Sequence, residues 1–412
     1  EIIKKFTDKS NYIRNCLIVL ISTIISVIGV VSSGLVNLPG FRYLNAVNPF
    51  LTSLDPLTDS VSEHMTTSLE TSYIFVSVFI IFAMIGIWFL FSRKIIDLKI
   101  DNRIFALITA IVAIYVSSSF VRLEIFASVG LIILGSIGLA ILFKKVFQSK
   151  VFPPTKIIFC SIIVILFLIP VTLPENKNWI SWADFPPTIN HGGSFYQITN
   201  NDWPHAMHWL KNNSPEDSVI ASWWDYGYWI TTMSDRTTIV DNATLSTKSI
   251  QKMAKMLMST PDNSWNILKE MNADYVVIFL SAQKINDNVE DKLYVLGSGG
   301  DESKAPWFAK ISGFPAQRFT ESDLATPNNY FDEQTMLGKM IPFSTAVYYQ
   351  PQTQENSLSY KPGFVKIISK DIKYDSDDDP LKLVYASPSL MNEKVGHKNI
   401  VLVYEVNKNF LP

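Results

Sequence analysis

The chain has 412 residues, of which 48% are hydrophobic, and a formal net charge of −2 at pH 7; this length is enough for two domains. Residues 1–174 hold 14 Lys or Arg and 9 Asp or Glu, whereas residues 175–412 hold 21 and 28. Nucleic-acid binding requires a basic stripe, so this balance argues against a nucleic-acid partner. Cys16 and Cys160 both lie in apolar runs, which argues against a disulfide framework and against a zinc site.

Five long apolar runs in the first part of the chain predict membrane-spanning helices. Each run has 17 to 21 residues, a length that crosses the hydrocarbon core of a bilayer as α-helix. A polar segment follows the first run, so we interpret that run as a span and not as a signal peptide. The predicted spans are residues 16–36, 73–91, 104–120, 125–143 and 157–173.

The placement of Lys and Arg predicts how these spans are oriented. Four basic residues lie in each of the segments 1–15, 92–103 and 144–156, whereas the intervening loops carry only Arg42 and Arg122. Cytoplasmic loops carry the excess of basic residues. The loops therefore alternate between the cytoplasmic and the external side of the membrane along the chain, and no loop contradicts this assignment.

Two domains follow from this pattern. Residues 1–174 are predicted to form a transmembrane helical bundle with an external loop at 37–72, and residues 175–412 an external soluble domain. In that second domain, short β-rich runs alternate with helical patterns, which predicts a mixed α/β fold. Strands are expected at 218–222, 237–240, 275–280, 345–350, 365–369, 381–385 and 400–406, and helices at 203–212, 226–234, 247–258, 264–271 and 302–312.

Arg122 and Glu124 lie between two predicted spans, at the external face. A charge so close to hydrocarbon is costly and usually has a partner or a function. One interpretation is a snorkelling arginine paired with Glu124. The other is an arginine that binds an anion at the mouth of a cavity.

The most informative motif is WWDYG at residues 223–227, between a predicted strand and a predicted helix. Recognition of a hydroxyl takes one acceptor and one donor. The carboxylate of Asp225 can accept, and the indole N–H groups of Trp223 and Trp224 can donate. Gly227 would permit a tight turn. The structural alternative is an aromatic plug at a strand-to-helix corner.

This motif and the following segment, which ends in DRTTIVDNAT at 235–244, resemble the signature region of oligosaccharyltransferase catalytic subunits. The resemblance implies that Trp223, Trp224 and Asp225 bind the hydroxyl of the acceptor Ser or Thr, two residues after the asparagine. It extends from about the first span to the C-terminus. The family has about thirteen spans, so the five predicted here correspond to its last five, and the N-terminal part of the enzyme would be missing.

Two further elements resemble the family in the same order along the chain. SVSE at 60–63 resembles the element whose glutamate, here Glu63, engages the acceptor carboxamide near the metal. Asp301 and Lys304 match the DxxK helix that lines the hydroxyl-residue pocket, and Phe308 departs from the Met or Ile of the family.

Arg122 resembles the arginine that holds the lipid pyrophosphate. Taken singly, Glu63 would be a solvated carboxylate, and Asp301 with Lys304 a surface pair. Their order beside WWDYG favours the family interpretation.

The resemblance implies a glycosyltransferase at a cell membrane. A glycan on a lipid-pyrophosphate carrier would be transferred to asparagine in Asn-X-Ser/Thr acceptors, with a divalent cation, Mn²⁺ or Mg²⁺, as cofactor. Glu63 would be the catalytic residue and a metal ligand, and the other ligands would belong to the missing part. The fragment alone is then expected to be inactive.

Two other functions stay open. Another polytopic glycosyltransferase that uses a lipid donor would share the spans and Arg122, but would not need a hydroxyl-reading pocket. A non-catalytic membrane receptor with an external domain would not need Glu63 or a metal. Separately, Asn242-Ala243-Thr244 is itself an acceptor sequence and therefore a hypothetical self-glycosylation site.

Overall fold

The structure is a computed structural model. It describes residues 11–33, 55–61, 64, 66–91, 100–173, 175, 178–184, 201–285, 293–296, 299–354, 357–392 and 394–412.

The described residues of the first part of the chain are mostly helical, and helix occurs within each of the five predicted spans. The second is divided, because Ser77 adopts a left-handed conformation with φ +48° between two helices. The predicted span 73–91 is therefore not one continuous helix. The helices are α1 (Tyr12–Ser32), α2 (Pro56–Asp59), α3 (Leu69–Val76), α4 (Phe79–Phe91), α5 (Ile100–Ser117), α6 (Glu124–Gln148), α7 (Pro153–Thr172) and α8 (Trp179–Asp184).

Among the described residues, two helical segments are long and apolar enough to cross a membrane. They are Val121–Gln148, with a mean hydropathy of 2.5, and Pro153–Thr172, with 2.4. Shorter apolar helical stretches occur at Arg14–Ser26, Phe79–Phe91 and Asn102–Ser117. Many large apolar side chains on these helices are exposed, which is unusual for a surface that faces water.

Helices α4 and α6 pack backbone to backbone through small residues. A Cβ on Gly86 would lie 2.0 Å from the carbonyl oxygen of Leu134, and one on Gly138 would lie 2.2 Å from that of Phe82. Such close approach at glycine is typical of helices that pack within a membrane.

The second part of the chain is built around an eight-stranded mixed sheet, which confirms the predicted mixed α/β architecture. Its strands are β1 (Val219–Ser222), β2 (Thr237–Thr238), β3 (Tyr275–Lys284), β4 (Leu293–Leu296), β5 (Phe343–Gln354), β6 (Ser357–Lys370), β7 (Leu381–Ala386) and β8 (Gly396–Val406). The helices around it are α9 (Asp202–Asn213), α10 (Gly227–Trp229), α11 (Thr247–Met258), α12 (Pro261–Glu270), α13 (Ala305–Ser312), α14 (Asn329–Gln334), α15 (Met336–Met340) and α16 (Pro388–Met391).

Strand β3 is the centre of the sheet, and nine of its ten residues are buried. Strand β8 runs antiparallel along the whole of one edge of β3. On the other edge, β1 pairs in parallel with residues 275–277, and β4 pairs antiparallel with residues 282–284. The ladder on this second edge is therefore interrupted over residues 278–281.

Candidate functional site

The WWDYG motif lies where the chain leaves the carboxyl end of β1. A 3₁₀ turn, Trp224–Tyr226, follows the strand and leads directly into α10. Trp223 and Tyr226 are buried, whereas Trp224 and Asp225 are partly exposed. The carboxyl ends of strands are where open α/β sheets place ligand-binding groups, so this turn can present Asp225 to a ligand.

Gly227 is required for a reason other than the predicted tight turn. Its φ is −56°, an ordinary helical value. A Cβ at this position, however, would lie 2.5 Å from the Cα of Asp241 and 2.7 Å from the carbonyl oxygen of Val240. Gly227 therefore allows two backbone segments to touch, and it directly follows the tight 3₁₀ turn Trp224–Tyr226.

The acidic side chains of the 3₁₀ turn Asp301–Lys304 fill the interruption in the sheet. Asp301 Oδ2 accepts a hydrogen bond of 2.9 Å from the backbone N–H of Phe279, and Glu302 Oε1 accepts one of 3.3 Å from that of Ser281. Both carboxyl groups are buried. A buried backbone N–H without a partner is costly, so these side chains replace the strand that is missing there.

A network of ionic hydrogen bonds joins the two motifs. Lys304 Nζ donates to Asp225 Oδ2 at 2.6 Å and to the Tyr226 hydroxyl at 3.0 Å. The same hydroxyl donates to Asp301 Oδ1 at 2.7 Å, and that oxygen lies 3.8 Å from Lys304 Nζ. The side chain of Asp225 is 30% exposed. Because a carboxylate has about four acceptor positions, Asp225 can still accept a hydrogen bond from a ligand.

Burial sets the protonation states around this network. It raises the pKa of Asp301, against the opposing effect of Lys304, and it raises the pKa of Glu302 well above its usual range. Burial alone would lower the pKa of Lys304, but Asp225 and Asp301 offset it and leave that pKa raised. Lys304 therefore stays cationic, and burial favours the neutral form of the Glu302 carboxyl group.

The aromatic side chains form the floor of the site. The ring of Phe308 is fully buried and lies 4.5 Å, centroid to centroid, from that of Trp223. In this conformation the ring of Phe308 packs against that of Trp223. The indole N–H of Trp224 is buried without a hydrogen-bond partner among the described residues. An unsatisfied buried donor costs about 1–3 kcal/mol, so this N–H would gain from a hydrogen-bond partner.

Part of the predicted external loop packs against the helix that follows Lys304. Asp55 caps the N-terminus of the one-turn helix α2, because its side chain accepts a hydrogen bond from the backbone N–H of Leu57. Pro56 occupies the first helical position. Both features favour the start of a helix. This turn contacts α13. Leu57 is buried within the core cluster of the α/β domain, so the loop is anchored beside the DxxK segment.

Comparison with known proteins bears on this arrangement. Residues 215–302 match the STT3/PglB/AglB core domain, a segment that contains both Asp225 and Asp301. This segment of the chain therefore resembles the core domain of that family.

Relatives named as subunits of a protein glycosyltransferase match much of the chain. The chain is 28% identical over 322 residues to the dolichyl-diphosphooligosaccharide–protein glycosyltransferase subunit STT3 of Saccharomyces cerevisiae, which covers 74% of the chain and 40% of the yeast protein. It is 24% identical to subunit stt-3 of Caenorhabditis elegans over 77% of the chain and 44% of that protein. The chain thus spans less than half the length of these curated relatives.

Solved structures of the family share the fold. The AglB oligosaccharyltransferase of Archaeoglobus fulgidus, in complex with an inhibitory peptide and a dolichol-phosphate, aligns with a TM-score of 0.53 at 14% identity, over 94% of this chain and 46% of AglB. The A. fulgidus enzyme tethered to an acceptor peptide with an NVT sequon aligns with a TM-score of 0.52 at 13% identity, over 97% of this chain and 53% of the other. These similarities establish the fold: a membrane part followed by a globular domain.

The remaining family positions are placed as follows. Arg122 is exposed, in the 3₁₀ turn Val121–Leu123 that leads into α6, while Glu124 is buried. Glu63 lies outside the described residues. Its neighbour His64 places its ring 4.6 Å from that of Phe120, and His64 Nδ1 lies 2.9 Å from the carbonyl oxygen of Thr58.

No group of three or more possible metal ligands occurs among the described residues. The described carboxylates near the site are already committed: Asp225 to Lys304, and Asp301 and Glu302 to the edge of β3. This part of the family site therefore does not fit a metal ion by itself. Glu63, which lies outside the described residues, stays the predicted ligand.

Sequence reasoning missed three participants in the site. Tyr226 joins Asp301 to Lys304, although its position inside WWDYG was the available signal. Glu302 carried no signal in the sequence, because a glutamate between two motif residues is usually a solvent-exposed side chain. Leu57 carried no signal, since one leucine in a polar loop is common.

Replacing Asp301 with alanine is expected to destabilise the globular domain strongly. The change removes the acceptor for both the Phe279 N–H and the Tyr226 hydroxyl, and it weakens the charge balance of Lys304. Breaking a buried ion pair costs about 3–5 kcal/mol, which lowers the Tm by on the order of 10 °C in a domain of this size. Thermal unfolding followed by tryptophan fluorescence measures it.

The matched control is Asp377→Ala, which breaks an exposed ion pair with Lys382 in the same domain. Exposed pairs contribute little, so its Tm should stay near that of the unmodified protein. Equal Tm values for the two variants would contradict the role of Asp301.

Proposed function

We propose that this chain is the C-terminal part of an oligosaccharyltransferase. The reaction transfers a glycan from a lipid-pyrophosphate donor to the asparagine of Asn-X-Ser/Thr acceptors. The observation that supports this proposal most directly is the hydrogen bond of 2.6 Å between Lys304 Nζ and Asp225 Oδ2. It joins two motifs that lie 79 residues apart in the chain. It leaves a partly exposed carboxylate beside the indole of Trp224.

The acceptor hydroxyl is proposed to bind at Asp225. Lys304 occupies Oδ2, so the carboxylate is fixed in orientation while it retains acceptor positions for a hydroxyl. The unsatisfied N–H of Trp224 supports a second, donating contact after a small rearrangement of the turn. The tethered NVT peptide in the A. fulgidus enzyme is consistent with such a peptide ligand.

Glu63 is proposed to handle the acceptor asparagine. The nitrogen of a carboxamide is a weak nucleophile because its lone pair is delocalised into the carbonyl group. A carboxylate that accepts its N–H bonds holds it in an attacking orientation. In the sequence, Glu63 lies between Leu57, which is buried in the core of the globular domain, and His64, whose ring contacts that of Phe120.

Arg122 is proposed to bind the pyrophosphate of the donor. A guanidinium group matches the geometry of phosphate oxygens and stays protonated, so it stabilises the negative charge that develops on the leaving group. The dolichol-phosphate bound to AglB is consistent with a donor of this class. A divalent cation, Mn²⁺ or Mg²⁺, belongs to the proposal as a cofactor that would need Glu63 and ligands beyond this chain.

The topology completes the proposal. The two long apolar helices and the three shorter stretches are proposed to be five spans of a multi-pass cell-membrane protein. Loop 37–72 and the globular domain then face the outside, where a lipid-linked donor and an acceptor polypeptide can meet.

A transfer assay with the complete enzyme tests this function. Lipid-linked oligosaccharide, Mn²⁺ and a labelled Asn-X-Thr peptide are expected to yield glycopeptide, whereas Gln-X-Thr and Asn-X-Ala peptides are not. Transfer to a lipid or to a hydroxyl with no glycopeptide would favour the other glycosyltransferase. Peptide binding without any consumption of donor would favour a receptor.

A further inference from the structure

Asp225 is held in place at its main chain as well as at its side chain. The side chain is fixed by Lys304, as described above. The carbonyl oxygen of Asp225 accepts a hydrogen bond of 2.8 Å from the side-chain nitrogen Nδ2 of Asn242. A contact on the backbone of a ligand-binding residue restricts the direction in which its side chain points.

The same carboxamide also fixes the start of the following helix. Asn242 Oδ1 accepts a hydrogen bond of 3.1 Å from the backbone N–H of Tyr228, one of the amide groups that a helix start leaves without a partner. Asn242 thus bridges the residues on both sides of the Tyr226-Gly227 step. Only a side chain that both donates and accepts can make this pair of bonds.

The segment that carries Asn242 is itself held against the turn. Gly227 touches the backbone of Asp241 so closely that no side chain fits between them. Asp241 Oδ1 in turn accepts from the N–H of Ala243 at 3.0 Å, and its carbonyl oxygen accepts from that of Thr244. Asn242 is therefore presented from a closed turn to the main chain of the WWDYG segment.

This placement conflicts with the reading of Asn242 as a glycosylation acceptor. An acceptor asparagine must offer its nitrogen as a nucleophile, but here that nitrogen donates to Asp225. The hydroxyl of Thr244 donates to the carbonyl oxygen of Ala243 at 2.8 Å, so the second recognition group of the sequon is also engaged.

We propose that Asn242 is a positioning residue that holds the Asp225 turn in its ligand-binding geometry, and that its place in a sequon is incidental. The kinetic consequence of this inference rests on the proposed function, whereas the hydrogen bonds of Asn242 do not.

Two variants separate positioning from glycosylation in the complete enzyme. Asn242→Ala removes both bonds and the sequon, whereas Thr244→Ala removes only the sequon. The expected result for Asn242→Ala is a rise of about tenfold in the KM for an Asn-X-Thr peptide, equivalent to about 1.4 kcal/mol, with kcat within about twofold. Thr244→Ala is expected to keep the KM of the unmodified enzyme.

Three outcomes would overturn the proposal. They are a KM for Asn242→Ala equal to that of the unmodified enzyme, the same rise in KM for Thr244→Ala, and a parallel loss of kcat accompanied by a large fall in Tm. The last of these would indicate a purely structural role. Intact mass before and after deglycosylation is expected to show no glycan at Asn242.

Hydrogen exchange provides a readout that does not depend on catalysis. The amide of Tyr228 is expected to exchange faster in Asn242→Ala than in Thr244→Ala, because only the first variant removes its acceptor. Equal exchange rates of this amide in the two variants would refute the positioning role of Asn242, even in an enzyme with no transfer activity. Failure of transfer with the exchange difference intact would refute the proposed function alone.

Discussion

Asp225→Ala is expected to lower the affinity of the complete enzyme for an Asn-X-Thr peptide by on the order of a hundredfold. The variant removes the group that accepts the hydroxyl of the threonine. It also leaves Lys304 with Asp301, 3.8 Å away, as its remaining acidic partner, so the ammonium group moves toward the buried carboxylate. Equilibrium binding of a fluorescent peptide measures the loss.

Two matched variants sharpen this prediction. Asp225→Asn keeps an oxygen acceptor and removes the charge, so its affinity should fall between those of the alanine variant and the unmodified enzyme. Asp217→Ala removes an exposed carboxylate from the same domain and should bind normally. If Asp225→Ala bound peptide as tightly as Asp217→Ala, Asp225 would have no part in acceptor recognition.

Glu63→Gln is expected to lower kcat by about two to three orders of magnitude and to leave the KM for the peptide nearly unchanged. The carboxamide keeps the size of the side chain, but it is a weaker acceptor for the N–H groups of the substrate and carries no charge. Loss of one group that acts in the transition state has effects of about this size. Initial rates across a range of peptide concentrations separate kcat from KM.

Glu216→Gln is the control, because it makes the same change on an exposed carboxylate of the globular domain. A Glu63→Gln enzyme whose kcat matched that control would exclude Glu63 from the chemical step. A rise in KM at constant kcat would instead assign Glu63 to acceptor binding alone.

Local patterns predicted most of the secondary structure, because strands and helices follow from periodicity in neighbouring residues. Seven predicted strands have counterparts, whereas β4 was missed. Its four residues, Leu293–Leu296, form a strand only because they pair with β3 and β6. Pairing with distant strands leaves no pattern in the neighbouring residues of the sequence. The break at Ser77 was missed for a similar reason, since the residues around it are uniformly apolar.

The site was predictable as a set of residues but not as a set of contacts. The motif positions Asp225, Asp301 and Lys304 were recognised individually from resemblance. Their connection through Tyr226 depends on how β1 and β3 bring distant segments together. The full burial of Phe308 could not be predicted either, because a helix pattern fixes a face but not what covers it.

The turn at Leu57 has a mechanical consequence. Leu57 is buried in the globular domain, while the hydroxyl of Thr67 donates to the carbonyl oxygen of Ser117 in the helical part at 2.7 Å. Leu57 and Thr67 thus attach one short stretch of the chain to the globular domain and to the helical part. A change in the angle between the two parts would therefore move these two attachment points relative to each other.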